Sequence, residues 1–185
     1  FVIAAPDGRD SVNVALLEVF YFAPDFIRDT MPVTNGVVKA DPARGINKVS
    51  LIDRHQNTGK VAKMFWRDVG LVTPGSALAA SHAHDLHNIW ALGNDDEAMA
   101  LAVNTVAKMG GGWALVDKGK VVAKVRLEIA GLVTQRPVKE VAAEVEALHA
   151  AADKMKWIGH PGIPELMKFA FLTASPWKWQ LVAPN

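Results

Sequence analysis

The chain has 185 residues, enough for one domain with a buried core. Half of them are hydrophobic, and 20 Lys and Arg against 19 Asp and Glu leave a formal charge of +1. With no basic run, that balance argues against a nucleic-acid surface or a polybasic membrane anchor. The lack of cysteine removes disulfides, thiolate metal sites and cysteine nucleophiles together, and fits a reducing, cytoplasmic compartment.

No apolar run approaches the roughly 18 residues needed to cross a bilayer. The longest, Val14 to Phe22, is cut by Glu18. Phe1 to Pro6 has neither a basic n-region nor a long apolar h-region, so a signal peptide is not expected. The chain does not start with Met, which reads as processing, trimming or excision from something longer.

Residues 1–54 read as β-rich. Val12, Val14, Leu16 and Val19 to Phe22 combine partial alternation with β-branched and aromatic residues, and Pro24-Asp25 are expected to end that run. Asp29 to Gly36 is turn-rich, and Asn35-Gly36 is a hairpin signal before Val37-Val38. Val49 to Asp53 is the next strand candidate, ending on Arg54-His55. Residues 55–77 read mostly as loop, with Met64-Phe65-Trp66 apolar enough to be buried; Gly59-Lys60 lacks the upstream glycine and the following Ser or Thr of a phosphate loop.

Residues 78–185 read as an α+β core, and its start concentrates the polar chemistry. Ser81-His82-Ala83-His84-Asp85-Leu86-His87-Asn88 holds three of the six histidines, between apolar Leu78-Ala79-Ala80 and Ile89 to Leu92. Two short buried segments meeting at a polar corner are predicted, with Asp, Asn and His side chains serving the backbone locally. A helix over about 94–109 follows, with Asn94 as cap and Glu97 three residues on. Its apolar face is Met99, Ala102, Val103 and Val106, and Gly110-Gly111-Gly112 reads as a tight turn into a strand. Trp113 to Val116 and Val121 to Leu127 form a hairpin around Asp117 to Lys120, with Ile129 to Val133 extending it past Gly131.

A second helix over about 137–156 opens at Pro137 and turns Val138, Val141, Val145, Leu148, Ala152 and Met155 to one side. Leu166 to Leu172, between prolines, is either a buried strand or a short helix. The whole reads as one compact α+β domain, a mixed or antiparallel sheet packed with two main helices.

Several segments in order resemble one family. Ala5 to Asp10, Arg54-His55 with Thr58-Gly59, His84-Asp85 with His87-Asn88, Asn94 to Asp96, Met99 to Asn104, Gly110 to Gly112 and Ile129 to Leu132 are similar to the C-terminal domain of adenine deaminases, in the amidohydrolase superfamily. The resemblance implies a part of a hydrolase that converts adenine and water to hypoxanthine and ammonia. It places the metal, Mn or Fe, in a (β/α)8 barrel outside this chain, where it lowers the pKa of a bound water and polarises the ring. A barrel of about 250 residues does not fit within this length. No cofactor is therefore expected in the chain itself, and the isolated chain is expected to be inactive.

The family's serine between Asp and His is Leu86 here, and His82 stands where an aliphatic residue is usual. The resulting His82-Ala83-His84 imitates a metal motif; no metal site is assigned, and one on His82 and His84 would need further ligands, for which His87, Asp85 and distant His55 are the candidates. The resemblance implies that His84, Asp85, His87, Asn88 and His55 face the mouth of the barrel's active site. Asp85 and Asn88 can recognise purine donors and acceptors, while His84 or His87 can orient a carboxylate or shuttle a proton. The expected partners are that barrel and a purine, with room for a homo-oligomer. The alternatives are a free-standing purine- or metal-binding module without catalysis, or a structural or oligomerisation domain.

Overall fold

In a computed structural model, which describes residues 1–6, 8–20, 23–56, 58–68, 70–82 and 87–158, the alternating apolar runs become strands joined by tight turns. β1 (Ile3–Ala4) and β4 (Val37–Val38) pair at one edge; β2 (Ser11–Phe20) and β3 (Ala23–Thr34) form a long antiparallel ribbon. Pro24 and Asp25 do not end the run, and Asp29 to Thr34 is strand instead of turn. Apart from Val33 and Thr34, β3 has a sheet neighbour on one side only, and such an edge admits Pro24 and Pro32 without losing a ladder bond. The hairpin at Asn35-Gly36 forms as expected, both residues being left-handed, with φ of 51° and 73°.

β5 (Ile46–Ile52) lies between β6 (Val61–Arg67) and β9 (Ile89–Gly93), antiparallel to both. β6 corrects the loop reading of 55–77. Its first half, Val61-Ala62-Lys63, has no strong strand signal, and pairing with β5 and with β2 decides its conformation. Within it Phe65 and Trp66 are both buried, in different apolar clusters, as alternation across a sheet requires. β7 (Gly70–Leu71) pairs with β12 (Trp157–Ile158) apart from the main sheet.

β8 (Ala77–Ala80), β10 (Gly112–Asp117) and β11 (Lys120–Arg126) complete a mixed ten-stranded sheet in the order β1-β4-β3-β2-β6-β5-β9-β8-β10-β11. Its two faces differ in side-chain size. Ala77, Ala79, Ala91 and Ala114, with Ile89 and Val116, form the floor on which α1 (Asp96–Lys108) lies through Ala98, Met99, Ala102, Val103 and Val106. Leu78, Trp90, Leu92, Trp113 and Leu115 fill the opposite side, against Val125 and the Leu148 and Ala152 of α2 (Val138–Asp153). The expected α+β architecture with two main helices is therefore the observed one.

Its details differ at the helix ends. The α1 cap is Asp95, whose carboxylate accepts from Ala98 N at 2.8 Å. Asn94 instead ties the preceding loop, donating to the Leu71 and Thr73 carbonyls and accepting from Ser76 N. At the other end Gly110 N bonds Ala107 O and Gly111 N bonds Val106 O, a Schellman arrangement that accounts for the expected glycine stop. Lys48, buried on β5, forms an ion pair with Asp96 in the first turn of α1.

Pro137 sits one place before α2, and of the residues expected to share one side of that helix Val138, at its first position, is 84% exposed and Val145 is exposed as well, while Leu148 and Ala152 are buried. Ile129 to Val133 does not extend β11. Left-handed Ala130 and Gly131 fold it back, so that Ile129 bridges Val133. The segment Leu166 to Leu172 lies outside the described residues.

Candidate functional site

Strand registers decide which loops share an end of the sheet. Ile52, at the end of β5, pairs with Val61 at the start of β6 and Ile89 at the start of β9. Ala80, at the end of β8, pairs with Trp90 and Trp113, and Gly112 at the start of β10 pairs with Arg126 at the end of β11. Residues 53–56, 58–60, 81–82, 87–88, 110–111 and 127–133, separated widely in sequence, therefore emerge together. Among the described residues, that end carries Arg54, His55, His82, His87 and Asn88.

Asp53 orders the first of these loops, accepting from His55 N and Gln56 N at 3.1 and 3.3 Å and from the Thr58 hydroxyl. These donors, the Thr58 hydroxyl first, hold its carboxyl below the usual range. His55 is exposed beside them. Arg54 turns back: its Nη2 donates to Ala130 O, and its backbone N–H donates to Asn88 Oδ1 at 3.3 Å. Desolvation lowers the Arg54 pKa.

Ser81 joins three segments at once. Its buried Oγ donates to Gly131 O at 2.7 Å and accepts from Gly112 N at 2.8 Å. Gly131 leaves no room for a side chain: a Cβ there would strike Arg54 Nη1 and the Ser81 hydroxyl. Its φ of 71° also favours glycine. Short contacts between glycine backbones and two polar side chains thus lock the 129–133 turn onto the corner.

The corner itself is partly described. Its flanks, β8 and β9, are buried throughout and antiparallel neighbours, as the sequence reading expects. His82 lies beyond the end of β8, its carbonyl accepting from the Trp90 indole at 3.2 Å and its ring tilted against Trp113 at 6.3 Å. His87 is left-handed, with φ of 48°, and its buried Nδ1 has no hydrogen-bond partner. Asn88 is half-buried and hydrogen-bonded. His84, Asp85 and Leu86 lie outside the described residues.

The structure thus brings His55, His87 and Asn88 to one end of the sheet. Among the described residues no three His, Asp or Glu side chains form a group able to hold a metal. Sequence reasoning missed Asp53, Arg54 and Ser81 as working side chains. Three potential donors within five residues of Asp53 could have flagged it; nothing local could reveal that Ser81 meets Gly131 across 50 residues.

Residues 25–176 match the family model described as the adenine deaminase C-terminal domain. The chain is 46% identical over 193 residues to an adenine deaminase 2 of Jannaschia sp. (strain CCS1), covering all of this chain and 31% of that protein. It is 43% identical over 192 residues to an adenine deaminase 2 of Bradyrhizobium diazoefficiens, with the same coverage. An adenine deaminase of Moorella thermoacetica is 39% identical over 153 residues, covering 82% of this chain and 25% of the relative. The chain therefore spans about a third of the length of these relatives.

Proposed function

The chain belongs to the adenine deaminase C-terminal domain family, and from that premise we propose that it completes the active site of an adenine-deaminase-like hydrolase whose catalytic barrel is carried by other polypeptide. The reaction is hydrolysis of adenine to hypoxanthine and ammonia. Supporting this reading, the described parts of the motif segments, 54–56, 58–59, 81–82, 87–88, 110–112 and 129–132, gather at one end of the sheet, although structural stability alone would not require them to share an end.

In this reading His55, His84, Asp85, His87 and Asn88 face the barrel mouth. Asp85 and Asn88 offer acceptors and an amide donor to a purine edge, and His84 or His87 orients a carboxylate or shuttles a proton. The Mn or Fe of such an enzyme is assigned to the barrel by this chain's likeness to the family. What this chain supplies is position and enclosure. No helix among the described residues is long and apolar enough to cross a membrane, and a cytoplasmic enzyme of purine metabolism is the setting we propose.

Ammonia release from adenine tests the reading. The complete polypeptide bearing this sequence, supplied with Mn or Fe, is expected to release ammonia in step with hypoxanthine. The 185-residue chain alone should stay at background. Turnover by the purified short chain, free of longer enzyme, would place the chemistry here and sink the proposal; so would a metal-loaded complete polypeptide inert towards adenine.

A further inference from the structure

We propose that Arg54 docks a carboxylate side chain contributed by polypeptide outside this chain, in the portion that the longer relatives carry. This rests on the reading above that the chain is one domain of a longer enzyme. The half-buried arginines make the contrast. Arg67 lies 3.4 Å from the Asp29 carboxylate, and Arg136 holds Glu144 through two bonds of 2.6 and 2.7 Å. Arg54 has no carboxylate beside it among the described residues, and its one side-chain bond there is to the Ala130 carbonyl; a buried Nε without a partner is a feature it shares with Arg136.

The guanidinium is nevertheless held in place. The end of β5 fixes its backbone through Asn88, the Ala130 carbonyl holds Nη2, and the bare Cα of Gly131 makes room for Nη1. Partly desolvated cations without a counter-charge are costly, so an arginine fixed by three segments and left unbalanced is preorganised for an anionic partner. Adenine is neutral and supplies no such charge. A free oxyanion would have to compete with water for a single guanidinium, whereas a carboxylate on the same polypeptide arrives at high effective concentration. The end of the sheet where Arg54 sits also gathers the other motif loops, which makes it the face an active-site partner would cover.

Arg54→Lys, Arg54→Gln and Arg54→Glu in the complete polypeptide test this, read by the rate of protease cleavage under native conditions, which reports the population with the domains undocked. The Gln and Glu variants are expected to be cut at least about tenfold faster than wild type, the equivalent of about 1.4 kcal/mol, and the Lys variant much less so. One Asp→Arg or Glu→Arg change in the remaining polypeptide should restore protection to Arg54→Glu, which a misfolded variant could not regain. Equal effects of Lys and Gln would mean that Arg54 only braces Ala130 and would overturn the proposal. Failure of every charge swap, or wild-type protection that depends on added inorganic phosphate or acetate, would overturn it as well. Adenine turnover by the unmodified polypeptide is measured alongside; its absence would defeat the deaminase reading while leaving the charge-swap result to stand by itself.

Discussion

His87 combines two features that a merely structural residue has no need of. Its left-handed backbone costs a residue with a Cβ on the order of 1–2 kcal/mol, and its ring keeps a buried nitrogen unpaired. Backbone strain and unmet polar atoms accumulate where function holds them. Asparagine tolerates the left-handed region better than histidine and still carries an amide. His87→Asn in the complete polypeptide is therefore expected to leave the thermal midpoint unchanged or raised, while adenine turnover falls at least about tenfold, some 1.4 kcal/mol on the barrier. Equal turnover at matched folding would reduce His87 to a brace. The density of polar residues at the corner was legible in the sequence; its partners were not. Arg54 and Ala130 are 76 positions apart, and only the fold makes them neighbours.

Among the elements, the helices were the more legible because 3.6-residue periodicity and terminal signals sit within one segment. Even there the choice between Asn94 and Asp95 as the α1 cap turned on tertiary demand: Asn94 is committed to the Leu71 and Thr73 carbonyls, leaving the cap to Asp95. β6 was illegible for a related reason, since its conformation is set by neighbours on both sides. The alanines of the sheet carry a size code that becomes meaningful only once α1 is placed above them. Ala91 is fully buried between Ser50 and Ala79 on the adjacent strands, beneath a helix that also presents alanines. Three further carbons there have no space. Ala91→Leu should lower stability by about 1–3 kcal/mol through overpacking, read as a fall in the denaturant midpoint. An unchanged midpoint would mean that α1 is not seated as described.

At the scale of the molecule, the sequence made the α+β class legible but not the sharing of one sheet end by distant loops, because register and strand order are long-range properties. The response to acid is set instead by donors close in sequence. Among the described residues four carboxylates are held below their ordinary values: Asp29 mainly by the Thr30 amide, Asp53 by the Thr58 hydroxyl, Glu128 by its own amide and then Thr134, and Glu144 by the Arg136 guanidinium. A carboxylate whose folded pKa is depressed gives stability that is fully present above its unfolded value and lost as pH falls through the lower folded value. For these groups the ordinary values are 3.8 for Asp and 4.5 for Glu. Their contribution to the thermal midpoint should therefore be level above that range and decline below it. Asp53→Asn supplies the internal check at the site end, because an amide oxygen accepts from His55 N and Gln56 N at any pH. After correction for intrinsic rates, protection of those two amides from exchange should decline with acid in the wild type and stay level in the variant. Wild-type protection at these amides that stays level as acid is added, or that falls equally in Asp53→Asn, would show that the carboxylate does not order this loop.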